Sequence, residues 1–281
     1  MKSIVVSLLF YLILMVMIII LAFWADDVPS TATSEQNLSS VHPKISTEEN
    51  DTIEEVETIM DKQSPQLSGI NNNEARFVDA NLNERLKSLG VKSGASIYLR
   101  LFKQESLLEL WIKVHDEYQL LKSYGICAYS GELGPKQKEG DKQSPEGFYR
   151  VRRSALNPKS SYHLSFNLGY PNAYDQSHGR TGSFLMVHGE CVSIGCYAMT
   201  NVRIEEIYAL VEAALKHGQS TVPVHIFPFY MTDEKLLSME ESPWYDFWLE
   251  LKEGYDYFES EGLPPSIKVE NGHYTIHEAN Q

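Results

Sequence analysis

From Ser96 onward apolar residues recur at every second position, and that period decides what the chain can build. Ile97, Leu99 and Leu101 alternate with Tyr98 and Arg100; Leu108, Leu110, Ile112 and Val114 repeat the pattern, and Tyr118, Leu120 and Lys122 continue it. Later runs cover residues 148–151, 162–168, 184–187 and 222–229. Short alternating runs bounded by Gly, Pro and Asn predict strands with one buried face. The fold class expected is mainly β with α, a small sandwich or barrel. One helix interrupts it over residues 202–217, with Ile204, Ile207, Tyr208, Val211, Ala214 and Leu215 on one face and Gly218 as its stop. Leu82, Leu86 and Leu89 predict a short helix before the first strand. The tail, with Trp244, Tyr245, Phe247, Trp248, Leu251, Tyr255 and Tyr257, reads as an appended helical segment packed over the β domain.

The N-terminal part is built differently. Residues 4–25 form an uncharged run of 22 residues. At ~1.5 Å per residue this matches a hydrocarbon core of ~30 Å. Lys2 precedes the run and Asp26 and Asp27 follow it, so the positive-inside bias keeps the N-terminus in the cytoplasm and exports the rest. An uncleaved inner-membrane anchor is expected, with the body of the chain in the periplasm; a cleaved signal segment is the competing reading. Residues 26–73 are polar and acidic, without an aromatic residue, and read as a flexible tether. Within them, Ile53, Val56 and Ile59 have helical spacing. The expected organisation is therefore anchor 1–25, tether 26–73, catalytic domain 74–230 and C-terminal extension 231–281.

Charge follows these boundaries. The net charge is −14, but residues 67–230 hold 16 acids against 18 bases, between acidic flanks. No basic footprint for nucleic acid is present. The three cysteines, Cys127, Cys191 and Cys196, are too few for a disulfide framework and lack the pairing of a zinc site. No Gly-rich phosphate loop follows a strand, and no cofactor is expected.

Chemistry concentrates in residues 184–200, FLMVHGECVSIGCYAMT. A strand delivers His188 and Gly189, and Cys196 follows Ser193-Ile194-Gly195 before the predicted helix. A thiol near a helix N-terminus has a lowered pKa, and a His eight positions earlier is placed to take its proton. Gly195 lets a carbonyl approach the backbone closely. Cys127 and Cys191 read as small buried apolar residues, although a bond between Cys191 and Cys196 is open in an oxidising compartment. His163, His178 and His225 read as strand or surface residues.

These residues resemble the YkuD family of L,D-transpeptidases, whose signature is His-Gly on a strand followed by Ser-His-Gly-Cys. GPKQKEGDKQSPEGFYRV (residues 134–151) resembles a second family segment, and SYHLSFNLGYPNAYDQSHGRTG (residues 161–182) is similar to the YafK branch. The resemblance spans residues 95–230 and implies the YkuD β-sandwich. It implies Cys196 as nucleophile, His188 as base, Gly189 holding the imidazole through its carbonyl, the N–H groups of Gly195 and Cys196 as oxyanion donors, and Ser193 shaping the loop. It implies peptidoglycan stem peptides as substrate, attacked at diaminopimelate through a thioester. For the YafK branch it implies release of a wall-linked lipoprotein. Ile194 stands where most members have a second His, and Ala198 where many have Arg or Asn. Those departures favour hydrolysis over cross-linking, while transpeptidation and a non-catalytic peptidoglycan-binding module remain the alternatives.

Four further residues belong to the expected substrate groove. Arg180 has the planar fork that suits a carboxylate, and Tyr170, Asn172 and Asp175 share its loop. Asp175 or Glu190 is placed to receive the ammonium of diaminopimelate.

Overall fold

Two sheets share one core. The first five-stranded sheet takes β1 (Ile97–Phe102), β2 (Leu107–Val114), β3 (Glu117–Gly125) and β4 (Gly147–Val151). The second takes β5 (Leu156–Asn157), β6 (Ser165–Asn167), β7 (Met186–His188) and β8 (Tyr197–Ala198) in that order, before β9 (Val222–Phe227) returns to the first. The order of the first sheet is β3-β2-β1-β9-β4, with β1 and β9 parallel. Helix α1 (Leu82–Ser88) precedes it, α2 (Ala173–Ser177) sits in the β6–β7 connection, and α3 (Asn201–Lys216) links β8 to β9. This computed structural model describes residues 81–278. The expected anchor, the tether and the helical spacing at residues 53–59 lie outside the described residues.

The mainly β fold with helices follows from the period-two pattern. On β1, Ile97, Leu99 and Leu101 face the inner core, where they meet Val224 and Ile226 of β9, Phe166 and Val187 of the second sheet, and Ile204, Ile207 and Val211 of α3. The other face of β1 is buried as well, so all six β1 residues are inside. It packs against α4 (Asp233–Leu237), α5 (Tyr245–Glu261) and the hairpin β10 (Ser266–Glu270) and β11 (His273–His277). Phe102, Phe227, Trp248, Leu251 and Tyr255 fill this second core. The aromatic stripe of the tail is therefore packing, but the extension is not helical throughout as expected: its end forms the β10–β11 hairpin, whose strands pair antiparallel. Arg100 lies in this layer, bonded to Glu109 at 2.9 Å and surrounded by the rings of Trp111, Tyr255 and Phe258.

The cysteines depart from expectation. Cys127 and Cys191 are disulfide-bonded to each other, with Cα atoms 5.3 Å apart, and Cys196 is the free thiol. Cys191 is exposed rather than buried, so it serves as a cross-link and not as a small core residue. The bond ties the loop before Cys196 to the chain just beyond β3, where Ala128 bridges Ala198. Sequence spacing gave no hint of it, because the partners are 64 residues apart. A loop of that length implies about 4 kcal/mol of stabilisation in the chain-entropy account. Reduction with a mild thiol is expected to lower the melting temperature, read by circular dichroism with and without reductant; an unchanged transition overturns this.

Candidate active site

The short parallel pair β7–β8 sets the geometry. Val187 pairs with Tyr197 and His188 with Ala198, which places Cys196 opposite Met186. Val187 and Tyr197 both point into the core and are fully buried. Side chains alternate across a strand, so His188 and Cys196 share the opposite face of adjacent strands as diagonal neighbours. Such neighbours lie about 7–8 Å apart at their backbones, within reach of a long side chain. The sequence-predicted pair is thus brought to one surface by the register alone.

Local contacts hold both members. The His188 Nδ1–H donates to the Gly189 carbonyl at 2.5 Å, which fixes the tautomer and leaves Nε2 as the basic nitrogen. The Tyr162 ring lies 4.7 Å from the imidazole. Gly189 is required for close approach: a Cβ there would meet Asn201 Oδ1 at 2.7 Å and the Tyr162 carbonyl at 3.0 Å. The Cys196 carbonyl accepts two hydroxyl hydrogen bonds, from Ser193 at 2.8 Å and Ser144 at 2.9 Å. Gly195, with φ of +139°, makes the turn that a side chain would strain. Phe184 and Ile194, at 74% and 77% exposure, form an apolar rim beside the sulfur, whose Sγ lies 3.7 Å from the Phe184 carbonyl.

Electrostatics differ from the expected helix-end setting. The chain after Cys196 enters β8, and α3 begins only at Asn201, capped by Thr200. The helix N-terminus is therefore not beside the thiol, because a strand intervenes. Burial pushes the Cys196 thiol up, opposed by the Met186 backbone N–H aimed at the sulfur and by Lys136. Burial also lowers His188, with its bond to Gly189 and the charge of Glu190 acting the other way. Both shifts favour a neutral thiol–imidazole pair in the resting state. Alkylation of Cys196, the single free thiol, is expected to keep accelerating through the pH at which an ordinary thiol is half ionised. A rate that levels off well below that pH overturns this.

The expected substrate groove is not where Arg180 lies. Arg180 is buried, pairs with Asp175 at 2.9 Å and stacks over Tyr174 and Phe247. Asp175 also accepts from Tyr149 and closes the capping box of α2, so neither member of the pair is offered to a ligand. Tyr170 is buried with its hydroxyl on the Lys136 carbonyl. Loop polarity suggested binding; the alternative that won is an internal network that anchors the loop. Asn172 caps α2 and donates to the Phe148 carbonyl at 2.9 Å, yet it borders a cavity. Glu190 is exposed, and its N–H donates to Asn201. Of the other histidines, His163 pairs with Glu205, His178 stacks on Tyr174, and His225 is buried on β9 against the Tyr98 hydroxyl.

Sequence reasoning missed Ser144, Tyr162 and Asn201. The segment carrying Ser144 was singled out as a motif, but its contact with Cys196 spans 52 residues and has no local signature.

The sequence profile of the YkuD L,D-transpeptidase catalytic domain matches residues 106–226. YafK of Escherichia coli strain K12, named as a candidate L,D-transpeptidase, is 53% identical over 183 residues, covering 65% of this chain and 74% of that protein. The same identity and coverage hold for YafK of Escherichia coli O157:H7. Among solved structures, the helical cell shape determining protein Pgp2 of Campylobacter jejuni in its K307A form is similar at 20% identity with a TM-score of 0.39, covering 65% of this chain and 66% of that one.

Proposed function

Because the chain belongs to the YkuD family of L,D-transpeptidases, within its YafK branch, we propose that Cys196 and His188 perform acyl transfer on peptidoglycan stem peptides at diaminopimelate. The observation that carries the proposal is the placement of both side chains on one face of β7–β8. His188 Nε2 takes the thiol proton as the sulfur attacks the amide carbonyl. The carbonyl oxygen, now negative, faces the backbone N–H of Cys196. The Gly195 N–H, expected as a second donor, is directed at Ser193 Oγ at 3.2 Å, so Ser193 competes for it. The C–N bond breaks as His188 returns the proton to the leaving amine, and a thioester remains. Water then attacks, His188 accepts its proton, and a carboxylate and the free thiol are released.

Hydrolysis that frees a wall-linked lipoprotein is the reading favoured. Ala198 is fully buried and bonded to Ala128, so the position that carries Arg or Asn in many relatives has no room for one here. Ile194 offers no proton-transfer group. Transpeptidation differs only in the second nucleophile, an amine instead of water. The Cys127–Cys191 disulfide fits an oxidising compartment and supports periplasmic action.

The test is to incubate the purified full chain with lipoprotein-loaded peptidoglycan and weigh the muropeptides. Release of the protein with a free diaminopimelate carboxylate is expected. New cross-linked dimers would support transpeptidation instead. No product, together with a Cys196 that resists a thiol-reactive acyl probe, would support a binding module.

A further inference from the structure

We propose that a second recognition site lies beside the catalytic strand pair: a cavity of about 940 Å³ between β4, the end of β6 and the β10–β11 hairpin, in which Arg150, Arg152 and Lys268 receive carboxylates of an extended peptide. The proposal rests on the peptidoglycan reading and names how substrate is held away from the scissile bond. Neither Cys196 nor His188 lines this cavity, and none of the residues expected to recognise carboxylate does so except Asn172 at its border.

Three observations converge on it. The first is charge. Arg150, Arg152 and Lys268 are exposed, and among the described residues none of them forms an ion pair or a side-chain hydrogen bond. Arg100, Lys103, Lys122, Lys136 and Arg180 are all paired. Glu270 alone opposes the three cations in the lining, in a chain whose net charge is −14. Cations left unpaired in a concave site concentrate an anion there.

The second observation is the backbone. β4 is an edge strand of the first sheet. The Phe148 N–H donates to the Tyr274 hydroxyl at 3.4 Å and its carbonyl accepts from Asn172, so both groups point out of the sheet edge. Arg150, two residues along, faces the same way. Gly169 lies next to the Arg150 carbonyl, where an added Cβ would be in ordinary contact at 3.7 Å. The Phe148 groups are taken within the chain, so a peptide lying along this edge meets β4 at Arg150, through its side chain and its main chain.

The third is continuity. Asn167 lines the cavity and is the register partner of Met186, whose N–H is aimed at the Cys196 sulfur. A substrate whose carbonyl sits at Cys196 needs only to follow β6 to enter the cavity. Glu270 decides between anions: a peptide bearing both carboxylates and an ammonium satisfies it, and a phosphate does not.

The test measures binding to the full chain in detergent, carrying Cys196→Ala so that no turnover occurs. The probes are a diaminopimelate-containing stem tetrapeptide, the same peptide with its carboxylates amidated, and inorganic phosphate as competitor. Combined Arg150→Gln, Arg152→Gln and Lys268→Gln is expected to weaken the free peptide about tenfold or more and to leave the amidated peptide unchanged. Binding of the free peptide is also expected to fall with added salt. Equal binding by the triple variant and its parent overturns the proposal. So does competition by phosphate with no effect of amidation, which would assign the cavity to a phosphate-bearing ligand. Arg152→Gln alone, at an exposed position, gives the same sign if the triple variant does not fold. Failure of the catalytic reading is seen separately, as absence of a thioester on the chain that keeps Cys196.

Discussion

Replacing Cys196 with Ala is expected to lower release of wall-linked protein by about 10⁴-fold or more, the scale on which loss of a covalent nucleophile acts. His188→Gln is expected to fall at least about 10²-fold, since the general base is lost while the thiol remains. The two losses should not add. Once the sulfur is gone the imidazole has nothing to activate, so the double variant should match Cys196→Ala alone. The measurement is the initial rate of muropeptide appearance by mass, with folding checked by circular dichroism. Equal release by Cys196→Ala and the unsubstituted chain would remove the basis for the enzymatic reading. The neutral thiol–imidazole pair adds a sign for pH. His188 must be unprotonated to act, and burial holds it below its ordinary value of 6.5, so activity should persist below that pH before it falls.

The second large effect concerns stability. Glu146→Gln is expected to destabilise the fold by about 3–5 kcal/mol, because Lys103 would remain buried without its counter-charge. Both side chains are fully buried, 3.0 Å apart. Glu146 also accepts from the Trp248 indole at 2.8 Å and the Gly134 N–H at 2.6 Å. The carboxylate therefore clasps α5, the loop after β3 and the sheet at one point. A drop in melting temperature of roughly 6–20 °C follows for a domain of this size. Adding Lys103→Met should recover part of the loss, since the orphaned charge is then removed. If Glu146→Gln melts as the parent does, the pair has no such role. Activity should fall alongside stability: Lys103 Nζ donates to the Ser144 carbonyl, and the Ser144 hydroxyl holds Cys196.

Strand content, the helix over residues 201–216 and the His188–Cys196 pairing were legible because each leaves a local trace. Period two marks a half-buried strand, a 3.6 period marks α3, and the motif spans few residues. The disulfide, the Ser144 contact and the fate of Arg180 left none. Arg180 has the chemistry of a carboxylate ligand, but whether its guanidinium faces solvent or Asp175 depends on how the α2 loop folds back. The thiol pKa shows the same limit. Nearness to a helix in sequence suggested a lowered value, whereas the two residues of β8 move the helix away and burial decides the direction.

Local order along the chain thus determined which residues alternate, where the proposed nucleophile and base occur, and which family the chain belongs to. Tertiary structure alone decided which polar groups were already satisfied and which were left open, as with the cations around the β4 edge. The reason is physical: hydrogen bonds and ion pairs across tens of residues depend on distances that no sequence period encodes, while burial against a sheet depends only on alternation.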